Sequence, residues 1–387
     1  MLFDSPRAMA LTYVGAMLAL GVFNVNGDDV LLASAFVNSS PTTWRDDEAE
    51  EAEEDENSPV GHGVTRQPWG FDTFSPEQHE TMFRFKRWQI EKLMDELAFP
   101  PVWILKTRGV FTGEEAMLLY LRRMSYPTSL LALTREGFTA QISDLSQLYH
   151  MVDDWLYETH TRRLLQTGLT KWAPRVRDYA DAICEVTGIH GFNVFGFIDG
   201  TTRAIARPGY FQREFYSGHK RVHCLQFLSV TGADGMILYT WGPGNGCHQD
   251  NWLLEESQLD TVKIPRLCEM LGDTFCVYGD PIFRQSEYLQ KGFERVDIMD
   301  WQVVFNKAMN AARVSIEHIF GRVLALWTFL DFHKTHSLFK NTFPAKAYLN
   351  GQFLTNCHNC FHYNQTSAQF GVRPPTLHEY LNMEEVA

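Results

Sequence analysis

Apolar positions recur mainly at helical spacing between residues 72 and 190, and from about 191 the pattern switches to short unbroken apolar runs closed by turn residues. In the first region Ser75-Pro76-Glu77 supplies an N-cap and a first-turn proline for one helix, and Thr112-Gly113-Glu114-Glu115 opens another before 116–124. Tyr126-Pro127-Thr128 starts a short helix through Thr134, Gly137 makes a turn, and Thr139 caps a helix running towards Glu158. In the second region the runs 194–198 and 275–278 predict strands that close on Asp199 and on Gly279-Asp280. Between them, 222–231 and 236–241 are joined by Gly232-Ala233-Asp234-Gly235, a hairpin signal. Met309, Ala312, Ile316, Ile319 and Val323 then share one helical face, while Asn306, Asn310, Arg313 and Glu317 form a separate polar stripe.

Charge divides the chain at its N-terminal end. Of 47 acidic and 34 basic residues, 12 and 2 lie in residues 1–57, so the remainder carries 35 and 32 and is near neutral, at −3 of a total of −13. Residues 46–56 (DDEAEEAEEDE) read as a disordered acidic segment, because like charges oppose collapse. Its plain role is a solvating linker; a sharper one is an electrostatic mimic that occupies the basic surface of the remaining chain, or docking of a partner. Residues 8–25 are almost uncharged, but Gly15, Gly21 and Tyr13 interrupt them and their length is marginal for spanning, so a packed helix is expected and no membrane segment. The expected organisation is 1–60, an apolar segment and acidic linker; 61–190, a helical domain; 191–356, an α/β domain; and 357–387, a C-terminal tail.

Three carboxylates stand out by their elements. Asp199 and Asp280 on strands and Glu317 on a helix could flank two divalent ions, since hard cations take carboxylate oxygens and leave positions for phosphate and water. Each also has an ordinary explanation: Asp-Gly is turn chemistry, and Arg313 four residues before Glu317 makes a surface helix pair. Haloacid-dehalogenase-like phosphatases share the Asp-Gly-Thr pattern, but their nucleophilic Asp would fall at Phe197, which cannot attack phosphorus.

With the three acids go IDGT (198–201), YSGHKRVHCLQFLSVTGADGMILYTW (216–241), GPGNGCHQDNWLL (242–254), YGDP (278–281) and RVSIEHIFGRV (313–323). Together these blocks resemble the catalytic domain of PIF/Harbinger-type DDE transposases, over about 195–370 and including LTNCHNCFHYNQTS (354–367). The resemblance implies an α/β fold, an RNase H-like mixed sheet flanked by helices. It makes Asp199, Asp280 and Glu317 the catalytic and metal-holding triad for two Mg2+ or Mn2+ ions. The implied activity is cutting and joining of DNA at terminal inverted repeats, with no covalent enzyme intermediate. It also implies a nuclear location, a Myb-like partner encoded by the same element, and a homo-oligomer on DNA that pairs two ends. The chain shows no compact Lys/Arg-rich import cluster, which is compatible with entry through that partner. A domesticated, noncatalytic DNA-binding or chromatin-associated protein retaining the fold is the alternative.

Basic residues beside the acids are candidate DNA contacts: Arg203, Arg207 and Arg213 in a loop after Asp199, Lys220 and Arg221 at the hairpin entrance, and Arg313 on the helix. His248 and Asp250 resemble the family's loop His-Asp pair, with Gln249 inserted between them, and are accessory candidates. Upstream, the two helices around Gly137 resemble a helix-turn-helix. Gln141, Ser143, Asp144 and Gln147 would face a major groove, and Lys106, Arg108, Arg122 and Arg123 would meet the backbone; a simple three-helix packing unit fits as well. Seven cysteines without a dense framework suit a reducing compartment. Cys357 and Cys360, beside His358 and His362, offer half a zinc site or a buried pair.

Overall fold

The computed structural model describes residues 66–294, 296–338 and 344–386. The expected apolar helix at 8–25 and acidic segment at 46–56 lie outside the described residues.

The N-terminal region is mainly helical: α1 (Pro76–Phe83), α2 (Arg87–Glu96), α3 (Gly113–Ser125), α4 (Leu130–Arg135), α5 (Ile142–Leu156) and α6 (Ala173–Thr187), with a hairpin of β1 (Val102–Ile104) and β2 (Val110–Thr112) between α2 and α3. Two helix starts follow the sequence signals closely. Ser75 accepts from Gln78 N with Pro76 in the first turn, and Thr112 accepts from Glu115 N in a reciprocal capping box. Two others differ. Pro127 disfavours helix at the residue before it, so α4 starts only after Ser129, which caps Ala132 N at 3.1 Å. The Thr139 hydroxyl donates instead to the Gln67 carbonyl, leaving Gln141 as the cap position of α5.

Beyond residue 190 lie β3 (Val194–Ala204), β4 (Tyr216–Ser217), β5 (Val222–Gly232), β6 (Ile237–Asn245), α7 (Asp250–Ser257), α8 (Ile264–Leu271), β7 (Cys276–Gly279), β8 (Leu289–Lys291), α9 (Asp300–Leu326), α10 (Pro344–Phe361), α11 (Gln365–Phe370) and α12 (Leu377–Leu381). The sheet runs β6-β5-β3-β7-β8, with β4 paired to the start of β5. Pairing is antiparallel across β6-β5-β3 and parallel across β3-β7-β8. Helices α6 and α9 pack on β3. This is the mixed sheet flanked by helices, preceded by a helical region, that an RNase H-like α/β fold requires.

Among the described residues one buried apolar cluster takes in side chains from Trp69 to Leu381. Polar seams reinforce it: Trp172 Nε1 donates to Leu238 O at 3.0 Å, joining the helical region to the hairpin. Helix α10 passes through the boundary drawn at 356/357, and the asparagines of the C-terminal motif grip the β5-β6 turn. Asn356 spans Ile237 N and O at 2.9 and 2.8 Å, Asn359 donates to Gly235 O at 2.9 Å, and Asn364 donates to Asp234 O at 2.8 Å. Among the described residues no helix is long and apolar enough to cross a membrane.

Candidate active site

Register places two acids side by side. In the parallel pair β3-β7, Ile198 lies opposite Gly279, so Asp199 and Asp280 follow paired residues at one end of β7. Asp199 does not end its strand as the sequence pattern suggested. β3 continues five residues to Ala204 because β5 extends the ladder, with Asp199 opposite Ser229 and Gly200 opposite Leu228. Gly200 therefore makes room rather than a turn: a Cβ there would collide with the Asp250 carboxylate. Asp280 does form the expected turn, accepting from Ile282 N at 3.0 Å.

The third acid arrives on α9, whose buried face contains Met309, Ala312, Ile316, Ile319 and Val323 as its spacing predicted. The polar stripe fixes the helix over the sheet. Asn306 bonds Phe293 N and O at 2.8 and 2.9 Å, and Asn310 accepts from the Tyr278 hydroxyl on β7 at 3.1 Å. The next residue along that stripe, Arg313, reaches all three acids: Asp199 Oδ2 at 3.1 Å, Glu317 Oε1 at 3.1 Å and Asp280 Oδ2 at 4.0 Å. The Arg313 side chain is 15 % exposed, Asp199 20 %, Asp280 42 % and Glu317 53 %, so the cluster has a closed floor and an open rim. The pairing of Arg313 with Glu317 is thus more than a surface helix pair.

Asp250 completes the setting as a fourth carboxylate. It begins α7, lies against Gly200, and has its carboxyl held up by burial and by the charge of Asp280, against which Lys220 acts. The Asp199 carboxyl is pushed up to about 6 by burial; the Arg313 guanidinium and the Gly200 N–H, 2.9 Å from Oδ1, pull the other way without prevailing. His248 is stacked face to face on Trp252, and burial lowers its basicity. Its carbonyl accepts from Gln226 Nε2 at 2.7 Å, which anchors the loop despite the inserted Gln249. Asn251 was not singled out from the sequence, yet it clamps the loop after Asp280, donating to Ile282 O at 2.7 Å and accepting from Arg284 N at 2.8 Å. Its place beside Asp250 in the GPGNGCHQDNWLL loop is the signal that could have found it.

The basic candidates fall into two groups. Lys220 and Arg221 are exposed at the start of β5, and Lys220 is close enough to act on Asp250 electrostatically. Arg207 and Arg213 are exposed on the preceding loop, Arg207 bonding Gln212 Oε1 at 3.0 and 2.8 Å. Arg203 turns instead onto the Tyr348 ring at 5.1 Å and the Thr201 hydroxyl at 2.8 Å. In the helical region, Arg123 is buried with its guanidinium over Phe329 and donating to Thr128 O, which removes it as a DNA-backbone contact. Arg122 is paired with Glu136 at 2.7 Å. Of the groove-facing candidates, Gln141 holds the cap position of α5 and the other three lie on it; Asp144 accepts from Thr107 and Gln147 from Lys106 N, so the hairpin tip covers part of that face, and Lys106 and Arg108 themselves are exposed.

Hard-metal chemistry fits the donor set at the triad: three carboxylates gather there on Arg313, which keeps its Nε buried without a hydrogen-bond partner. Among the described residues no three acidic, His or Cys side chains are already close enough together to hold one ion. That includes Cys357 and Cys360, which the sequence left open between half a zinc site and a buried pair. Cys357 is fully buried, while His358 and His362 stack on each other at 4.2 Å and bond Arg322 and Gln89.

A family model described as DDE superfamily endonuclease matches residues 198–357, a span that contains Asp199, Asp250, Asp280, Arg313 and Glu317. The match supports a DDE transposase family. No curated protein and no solved structure matches the chain.

Proposed function

We propose that this chain is a DDE transposase of the Harbinger type, an endonuclease and strand transferase that cuts and joins DNA at the terminal inverted repeats of its element. The observation that carries this reading is the convergence of Asp199, Asp280 and Glu317, brought from two strands and a helix, on a single guanidinium. In this reading the three acids hold two Mg2+ or Mn2+ ions, with Asp250 beside them. Such ions, when bound, polarise a phosphoryl oxygen and make a water acidic enough to act as a nucleophile.

The chain's own part is positioning. β3 and β7 fix two carboxylates by hydrogen-bonded register, and the Asn310–Tyr278 bond locks the helix that delivers the third. In this reading Lys220, whose charge acts on Asp250, and the exposed Arg221 beside it meet DNA phosphates and set the register of the duplex. No side-chain nucleophile is needed. The proposal extends to a homo-oligomer that pairs two element ends, to a nuclear location and to import and DNA binding assisted by a Myb-like partner.

Incubation with Mg2+ and terminal-repeat DNA tests the reading. Cleavage by the wild type that is lost in Asp280→Asn supports it. DNA binding with no cleavage under any divalent ion would favour the noncatalytic, chromatin-associated alternative.

A further inference from the structure

We infer that Arg313 is a resident counter-cation of the carboxylate site, a positioning residue that keeps divalent ions weakly bound until a DNA phosphate draws its guanidinium away. The inference rests on the reading of Asp199, Asp280 and Glu317 as cation ligands and adds an order of events to it.

Three acids meeting at one point repel each other unless a cation sits among them. Arg313 is that cation in the fold itself, at 3.1, 3.1 and 4.0 Å from the three carboxylates. Its planar fork suits this service, since separate N–H groups face separate acids: Nη1 donates to Asp199 and Nη2 to Glu317. The arrangement also holds the acids around the guanidinium rather than around a common smaller centre, in keeping with the lack of a ready three-ligand cluster among the described residues. A divalent ion that takes two of these carboxylates must therefore compete with a tethered charge at very high local concentration.

What could release the tether is limited by chemistry. A guanidinium does not lose its proton in proteins, so its own charge is not switched off by pH. To hold the guanidinium elsewhere takes another anion, and phosphate, which DNA supplies, is one that a guanidinium matches in a bidentate fashion. The residue is poised for exchange in two respects. Its Nε is buried without a partner, a donor that the present arrangement leaves unused. Its third acid, Asp280, stands at 4.0 Å, beyond hydrogen-bonding distance, so that link is already loose. DNA and divalent ions should then bind with positive coupling, each improving the affinity of the other by the same factor.

The test is Mn2+ binding to the full chain, followed by electron paramagnetic resonance or calorimetry, with and without a short duplex. Without DNA, Arg313→Met should bind Mn2+ roughly tenfold more tightly than wild type, with Arg313→Lys between them. Adding duplex should tighten Mn2+ binding roughly tenfold in the wild type and by less than about twofold in Arg313→Met. Equal Mn2+ affinity of wild type and Arg313→Met without DNA overturns the inference. If Arg313→Met does not fold, Arg313→Lys decides alone: no tightening over wild type overturns it. An Asp199→Asn/Asp280→Asn variant separates the two levels of claim. Mn2+ bound no better by wild type and Arg313→Lys than by that variant means the site does not hold cations, and the functional reading falls with it.

Discussion

Asp153 and Asp199 are both carboxylates pushed up to about 6 by burial, yet their surroundings suit opposite ends. Asp153 is closed in by neutral donors: the Tyr120 hydroxyl at 2.7 Å and Asn350 Nδ2 at 2.8 Å, with Thr161 in turn holding Asn350 Oδ1 at 2.7 Å. One charge, or one proton, is fully accommodated there, and the network ties α3, α5 and α10 together. Asp199 has acids for neighbours: the charges of Asp250 and Asp280 act on it, and it shares the Arg313 charge with Asp280 and Glu317, both well exposed. Satisfied polar groups make glue; an excess of like charge that solvent can reach makes a cation site. Exchange of a carboxyl for its amide separates the two cases, because it removes function from one and little from the other.

The largest effect is expected at the open site. Asp280→Asn should lower DNA cleavage at least about a thousandfold, close to 4 kcal/mol of transition-state stabilisation, with a melting temperature equal to or above that of wild type, because like-charge repulsion is relieved. A loss of activity that simply tracks a loss of folding would erase the distinction drawn between the two acids.

Next comes the closed site. Asn350→Leu removes both bonds to Asp153 and the one from Thr161 within a fully buried seam. It should cost about 3–4 kcal/mol in urea unfolding at neutral pH, since a buried acid is left short of donors. A cost under about 1 kcal/mol would show that the network is ornamental.

These two sites were unequally legible in the sequence. Asp199, Asp280 and Glu317 could be found because each closes or interrupts an apolar pattern, and α9 carries its five packed positions and its polar stripe in the order the spacing predicted. Asp153 could not be found, since its partner Asn350 lies 197 residues away and nothing local marks the pair. The end of β3 was hidden for a similar reason: Asp-Gly is a turn signal locally, and only the partner strand β5 and the Asp250 carboxylate across the chain make it part of a strand. Likewise the Asn-rich C-terminal motif carries no periodicity that reveals its role, which is to hold backbone groups of the β5-β6 turn. Arg123 looked like an exposed base beside Arg122, but one step along α3 turns it inward onto Phe329.

A third, smaller effect depends on pH. The Asp153 carboxyl ordinarily titrates at 3.8 and is raised to about 6 by burial in the fold. Between these values the folded chain keeps a proton that the unfolded chain has released, so this contribution to stability is complete below about pH 4 and is lost as pH rises through 6. Asp153→Asn cannot ionise. Its stability relative to wild type should therefore improve from pH 4 to pH 7, by at most about 3 kcal/mol in urea unfolding. A difference that stays constant over that range would mean that Asp153 does not titrate there.

The smallest effect sharpens the comparison at the level of space rather than charge. Gly200 sits in an extended strand where any residue could satisfy the backbone, but a methyl group there meets the Asp250 carboxylate. Gly200→Ala should leave the sheet intact, because the ladder to β5 uses only main-chain groups, and push Asp250 outward from its place beside Asp199 and Asp280. Cleavage should fall about tenfold, equivalent to about 1.4 kcal/mol, with little change in melting temperature. Gly209→Ala is the control on the neighbouring loop, where an added Cβ meets nothing within 4 Å and activity should be unchanged. If Gly200→Ala cleaves as well as wild type, Asp250 is a bystander and the working site reduces to three acids; if both variants lose activity together, the loop after β3 rather than the fourth carboxylate is what the reaction requires.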